Sequence, residues 1–203
     1  MGISERKERE KEELREKIIA AATSLFLDHG FDGASIRMIA DKIEYSPATI
    51  YLHFKDKNEL FYEIMERAFS LFFQYFSRVA HIEDPMERLA ELGKVYLQFA
   101  AENPFYYDLM FVIRAPMKTH HTEDSWDTGQ RSHSVLTDTV QQCIAQGHFR
   151  GHDPEALSLG IWSTVHGLAT LRLRDRLSMY ETPVADELVA KALESFNVML
   201  RNA

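Results

Sequence analysis

Hydrophobic positions recur at helical spacing along almost the whole chain. Between residues 11 and 29, Leu14, Ile18, Ala21, Ala22 and Leu25 share one face, and Gly30 suits the left-handed position that ends many helices. Between 35 and 43, Ile36, Ile39, Ala40 and Ile43 repeat the pattern. Four of the six prolines directly follow a good capping residue: Ser46-Pro47, Asp84-Pro85, Asp153-Pro154 and Thr182-Pro183. A side-chain oxygen at N-cap accepts an amide of the first turn, and proline next to it has no amide to leave unpaired. Asp56 with Glu59, and Asp84 with Glu87, have capping-box spacing. The sustained apolar–polar alternation of a strand is nearly absent. The pattern predicts an all-α chain of about nine helices, over 11–29, 35–43, 47–53, 57–79, 85–102, 104–113, 125–146, 154–177 and 183–201. The stretch 118–124 is too polar to be core.

A length of 203 residues suits one domain, or a small module with a larger one. The division expected here is 1–57 and 58–203. With 45% hydrophobic and 27% charged residues, the composition excludes a chain disordered throughout. The single cysteine, Cys143, excludes an intramolecular disulfide and a Cys-rich zinc site. No apolar run approaches the length of a membrane span, and residues 5–17 carry six acids and six bases rather than a signal-peptide core. The expected location is the cytoplasm, with no membrane partner.

The net charge is −8, from 31 acids and 23 bases, which argues against nucleic-acid binding by bulk charge. The charge is uneven, however. Residues 1–34 carry −2, residues 35–57 carry +1, and residues 58–203 carry −7. A small reading head attached to an acidic body fits this distribution, with Arg37, Lys42, Lys55 and Lys57 supplying most of the phosphate attraction.

Residues 35–53 place two short helices around the turn Glu44-Tyr45-Ser46, which is helix-turn-helix spacing. Ile36, Ile39, Ala40, Ile43, Ile50 and Phe54 would hold the pair together. Pro47, Ala48, Thr49, Tyr51, Leu52 and His53 would lie on the exposed or rim side. Hydroxyl, imidazole and ammonium donors suit phosphate oxygens, and an apolar Pro47-Ala48 edge with Leu52 suits thymine methyls. Spacing alone also fits two ordinary packed helices.

Ser46-Pro-Ala-Thr-Ile-Tyr-Leu-His-Phe-Lys-Asp-Lys-Asn-Glu-Leu60 resembles the helix-turn-helix of TetR-family transcriptional regulators, matching its pattern at Ser46, Ile50, Tyr51, His53, Phe54, Lys57 and Leu60. The upstream Ile19–Ala22, Leu25-Phe26, Gly30-Phe31 and Ser35–Ala40 resemble the family as well, so the likeness covers roughly residues 15–65. The resemblance implies that Ser35 and Arg37 contact phosphate or a groove edge. It implies that Pro47, Ala48, Thr49 and Leu52 face bases, and that Tyr51, His53 and Lys57 contact the backbone. Tyr45, Ser46 and Lys55 complete the expected DNA face. The family usually has Gly-Val in the turn, where this chain has Glu44-Tyr45. The same turn is expected, with some strain.

The larger segment reads as a sensor and dimerisation domain. Residues 61–79 are apolar on nearly every side, as in a helix that is buried or borders a cavity. Phe69, Phe72, Phe73, Phe76, Tyr96, Phe99, Tyr107 and Phe111 fit either an aromatic core or the wall of a pocket for an apolar or aromatic small molecule. Ile161-Trp162-Ser163-Thr164-Val165-His166-Gly167-Leu168 resembles the sensor domain of a TetR subgroup named for its Trp, His and Gly. Trp162 and His166 share a helix face, either as ligand contacts or as a packing motif around a hydrogen-bonded histidine. Gly167 would admit a close helix neighbour. The last helix carries Leu188, Ala192, Phe196 and Met199 on a stripe that a second copy would cover, giving a homodimer through helices eight and nine.

The expected function is a ligand-responsive regulator, most simply a repressor released from a near-palindromic duplex operator by a small effector. The helix beginning at residue 57 would couple effector to head. Alternatives are a metal-sensing regulator, drawn from the nine histidines, and a ligand-binding protein that no longer reads DNA. No enzyme motif or cofactor is expected. His120-His121, His133, and His148 with His152 do not form a metal site of known spacing. Residues 5–17 read as a solvated helix extension held by i, i+4 pairs, or as an arm reaching DNA.

Overall fold

The computed structural model describes residues 2–114 and 127–202. Among them the chain forms nine α-helices and no strand: α1 (Ile3–Gly33), α2 (Ile36–Lys42), α3 (Pro47–Tyr51), α4 (Lys57–Ser77), α5 (Pro85–Glu102), α6 (Pro104–Phe111), α7 (Asp127–Ala145), α8 (Pro154–Leu173) and α9 (Thr182–Arg201). The polar stretch 118–124, His120-His121 and the expected start of the seventh helix lie outside the described residues. No helix among the described residues is long and apolar enough to cross a membrane.

Four helix starts follow from side-chain caps that a serine or aspartate supplies. The side chains of Ser35, Ser46, Asp84 and Asp153 accept the amides of Met38, Thr49, Glu87 and Ala156, at 3.2, 3.2, 2.7 and 2.8 Å. Each such cap stabilises its helix by about 1 kcal/mol. The expectation at Thr182 needs correction. Glu181 is the N-cap of α9 and makes no side-chain cap bond, so Thr182 is already helical. The first helix starts eight residues earlier than its apolar periodicity suggests. Its charged N-terminal half is helical, and Arg6–Glu10 and Arg9–Glu13 pair across one turn at 2.7 and 3.5 Å. At the other end Gly30 takes φ 72°, and the chain bends there before one more turn to Gly33. The fourth and eighth helices end two and four residues short of expectation, at Ser77 and Leu173.

The chain divides into two compact units, Met1–Ala68 with Phe105–Ser125, and Phe69–Pro104 with Trp126–Ala203. The division falls within α4 and at the start of α6. The expected boundary at 57/58 is one of roles rather than of compactness.

The first unit has its core where α1, α2, α3 and the first turns of α4 meet. Ile18, Ala22, Phe26, Ile39, Ala40, Ile50, Leu60 and Ile64 are all fully buried. Phe26, Phe31 and Phe61 form a mutual ring cluster with centroids 5.1–5.6 Å apart. At the rim, Glu63 accepts from Arg15 and from Arg67, both at 3.0 Å, and Arg67 reaches Glu16 at 2.7 Å. Arg15 also lies over the Phe54 ring at 4.8 Å.

In the second unit α5 packs against α7, α8 and α9. Gly93 faces α9, where an added Cβ would stand 3.0 Å from Leu193 Cδ1. Met86, Leu89, Val140, Cys143, Phe149 and Ile161 form the core, with Phe196 and Leu200 packed on it. Burial pushes the Cys143 thiol up to about 11, so this cysteine is an inert apolar group.

The hydrogen bond from Arg15, reinforced by Arg67, holds the Glu63 carboxyl below its usual range against the opposing effect of burial. A lowered carboxyl contributes stability above its unfolded value and loses it as pH falls through the folded one. Glu63→Gln therefore costs about 1 kcal/mol at neutral pH, the screened site keeping it small. Urea titrations followed by circular dichroism should show this gap closing as the pH drops through the carboxylate range. A gap independent of pH contradicts the assignment.

Candidate functional site

The turn between α2 and α3 is a Schellman motif. The amide of Tyr45 donates to Ala40 O at 3.0 Å and that of Glu44 to Asp41 O at 3.2 Å. This geometry forces the residue after the cap to positive φ, and Glu44 has φ 61°. Glycine is at ease there, while a side chain costs on the order of 1 kcal/mol. The turn anticipated from the sequence is thus made with the strain anticipated for it.

The five-residue α3 is held by its cap, by Pro47 at its first position and by the buried Ile50 behind it. Its opposite side is open. Ser46, Pro47, Ala48, Tyr51 and Leu52 are exposed, Leu52 at 80% and Tyr51 at 55%. An apolar side chain that exposed on a short helix is a poor solvent surface and a good groove contact. Tyr45 extends the same surface. Ser35 and Arg37 at the start of α2 are exposed, and so is Lys55 beyond α3. Thr49 is half-buried, with its hydroxyl 3.0 Å from that of Ser46.

Two expected phosphate contacts sit differently. The Lys57 ammonium turns inward and donates to Phe31 O at 2.7 Å and Ala34 O at 2.9 Å, and it stands 4.3 Å from the centre of the Phe31 ring. It joins the start of α4 to the end of α1. His53 is half-buried, and its Nδ1 is enclosed without a partner. Burial, then the charges of Lys11 and Arg15, keep its imidazole less basic than usual. Lys42 donates to Ser24 at 2.8 Å.

Among the aromatic candidates, the second unit brings six together. The Phe72 ring lies 4.4 Å from Phe76, 5.5 Å from Tyr96 and 4.8 Å from Phe99. Trp162 Nε1 donates to the Tyr96 hydroxyl at 3.2 Å, and that hydroxyl lies 3.1 Å from His166 Nδ1. Having accepted from Trp162, Tyr96 is placed to donate to Nδ1. The Nε2 of His166 faces Thr170 Oγ1 at 3.4 Å. Burial lowers the basicity of His166, in keeping with a neutral ring. Thr170 was not among the sequence candidates, and its i, i+4 spacing from His166 is the signal that marks it. Phe69 is buried one turn before Phe72, and Phe73 is half-buried. Tyr107 and Phe111 belong to the other unit, where they pair at 5.2 Å. A second polar group, also unforeseen, joins Tyr75 to Glu102 and to Asn103.

Along α9, Leu188, Ala192 and Met199 are exposed and Phe196 is half-buried, turned into the unit's own core. Val184 and Val198 add to the exposed apolar surface, as do Leu159 and Leu171 of α8. A Cβ at Gly160 or Gly167 would meet nothing within 4 Å among the described residues. Nor do three His, Cys, Asp or Glu side chains cluster there as a metal site would.

Residues 18–64 match the family described as bacterial regulatory proteins, tetR family, and residues 89–196 match the Tetracyclin repressor-like C-terminal domain. The HTH-type transcriptional regulator HbdR of Aromatoleum sp. (strain CIB) is 24% identical over 173 residues, covering 84% of this chain and 76% of that one. A Rhodococcus sp. RHA1 protein of unknown function has a similar structure, with a TM-score of 0.71 and 25% identity over 92% of this chain and 95% of its own. AibR, solved with isovaleryl coenzyme A and operator DNA, has a TM-score of 0.68 and 21% identity over 87% and 96%.

The Tyr96 hydroxyl holds the Trp162–His166 chain together, and Tyr96→Phe removes its hydrogen bonds to the Trp162 indole and to the His166 imidazole. A loss of about 2 kcal/mol in thermal or urea unfolding is expected. The His166 Nδ1 nitrogen signal should also shift, as observed by NMR. An unchanged stability and an unchanged His166 spectrum would show that the hydroxyl does not organise this cluster.

Proposed function

Because the chain belongs to the TetR family of bacterial transcriptional regulators, we propose that it is a repressor that binds a near-palindromic duplex operator as a homodimer in the cytoplasm and leaves it when a small apolar or aromatic effector binds. The observation that carries this reading is the exposed α3 face, with Pro47, Ala48, Tyr51 and Leu52 presented outward over a fully buried Ile50. In this reading Pro47, Ala48, Thr49 and Leu52 face bases, and Ser35, Arg37, Tyr45, Ser46, Tyr51 and Lys55 meet the backbone. Lys57 and His53 act from behind, setting the position of α3. The DNA-binding role is that of residues 1–57, and the sensing and dimerising role that of residues 58–203.

The effector site is assigned to the Phe72, Phe76, Tyr96, Phe99, Trp162 and His166 cluster, which offers ring faces beside a short polar chain. The acyl thioester bound by AibR makes an acyl or aryl carboxylic acid, or its thioester, the first class to try. The dimer is assigned to the outer faces of α8 and α9. Leu188, Ala192 and Met199 lie there with Leu159, beside the open positions at Gly160 and Gly167. Phe196 supports α9 from inside. Effector acts by binding more tightly to the conformation that does not fit the operator. A tenfold loss of DNA affinity needs only about 1.4 kcal/mol of such preference.

The test is duplex binding by the purified protein, using a duplex it selects from a random pool. Wild type should retain a near-palindromic sequence. Titration with isovaleryl coenzyme A, isovalerate and an aromatic carboxylate should release it at least tenfold with one of them, and free coenzyme A should not. Selection of no sequence, or retention equal under every compound, contradicts the reading.

A further inference from the structure

Resting on the reading of the chain as a duplex-binding regulator, we infer that the N-terminal half of α1 is a second DNA-contact surface, in which Lys7 and Lys11 meet phosphates beside the groove entered by α3. Equal numbers of acids and bases in residues 5–17 hide a difference in how the cations are used. Arg6 and Arg9 are engaged by Glu10 and Glu13, and Arg15 by Glu63. Lys7 and Lys11 are exposed and have no acidic partner among the described residues. Only an ammonium not already neutralised displaces a counterion from a phosphate.

Their direction points to the same surface. At about 100° per residue, Lys7 and Lys11 continue the line of Leu14, Ile18, Ala22 and Leu25. Ile18 and Ala22 are fully buried, so this line points into the head wherever the head is present. Past the edge of the head the same line carries two lysines in place of apolar side chains. An apolar residue there would lie bare, while an ammonium is placed beside whatever the head docks on. Arg15, one turn after Lys11, lies over the Phe54 ring at 4.8 Å, just beyond the exposed Tyr51 and Leu52 of α3. The lysine line therefore runs past one end of the reading helix, with Lys7 about 6 Å further along the axis.

Few other cations of the head are left for phosphates. Lys57 is held by two carbonyl oxygens and Lys42 by Ser24. Among the described residues of 1–57, the cations with no such partner are Lys7, Lys11, Lys17, Arg37 and Lys55. Arg37 and Lys55 belong to the α2–α3 face. Lys7 and Lys11 double that set, and Lys17 projects about 100° round the helix from them.

The experiment measures anisotropy of a labelled mixed-sequence duplex of about 40 base pairs, titrated from about 50 to 300 mM KCl, with wild type, K7Q/K11Q and K17Q. Glutamine matches lysine in helix propensity, so α1 is kept, and circular dichroism checks it. Each lost phosphate contact lowers the slope of log affinity against log salt by about 0.9, so the double variant of a dimer should lose about 3.6 and bind at least tenfold more weakly at 0.1 M salt. K17Q should stay within about twofold of wild type. A K7Q/K11Q slope equal to wild type overturns the inference, and so does a K17Q loss as large per lysine. Wild type that binds no duplex at low salt removes the regulator reading first and the inference with it.

Discussion

The reading head depends on one inward-turned charge. Lys57 stands at the first position of α4, where a cation has no favourable helix dipole to meet. It is held there by Phe31 O, Ala34 O and the face of the Phe31 ring, at the bend that follows Gly30. Those carbonyls belong to the end of α1, where the last turn has no further helix to bond them. One ammonium thus satisfies orphan acceptors and fixes the start of α4 to the end of α1. Between these two points run α2, the strained turn at Glu44 and α3. Their inner residues Ile39, Ala40 and Ile50 are fully buried, so α3 has little freedom to tilt.

The salt bridges at the rim work in the same direction with less force. Arg15 and Arg67 share Glu63, so α1 and α4 are joined twice, once by the Lys57 clamp and once by this network. The consequence for charge is that several basic residues of the head are spent on the head itself. An overall charge of −8 then overstates the repulsion that DNA meets, and a simple count of bases overstates the attraction. What matters is which cations lack an internal partner.

Much of this was legible in the sequence. Ser46, Asp84 and Asp153 announced three helix starts because a capping oxygen acts within three residues of itself. The exposed side of α3 followed from Ile50 and Phe54 pointing the other way. The strain at Glu44 followed from the turn that the family resemblance implied. What failed to show is what depends on distant partners. Lys57 looked like a phosphate contact because its own neighbours do not reveal the carbonyls of residues 31 and 34. Phe196 fell on the same stripe as Leu188 and Met199, yet it packs toward the core with Leu200. The Tyr96–His166 pair joins residues 70 positions apart. The charged start of α1, by contrast, was legible as a helix extension through its i, i+4 pairs, although it lacks an apolar period.

The most direct measurement is on Lys57→Met, which keeps the bulk of the side chain and removes its donors. Unfolding free energy and the salt slope of duplex binding are recorded together, against wild type. If the ammonium clamps α1 to α4, the variant loses about 2 kcal/mol of stability and keeps the wild-type slope. If the ammonium serves DNA instead, stability is unchanged and the slope falls by about 0.9 for each protomer, which contradicts the account.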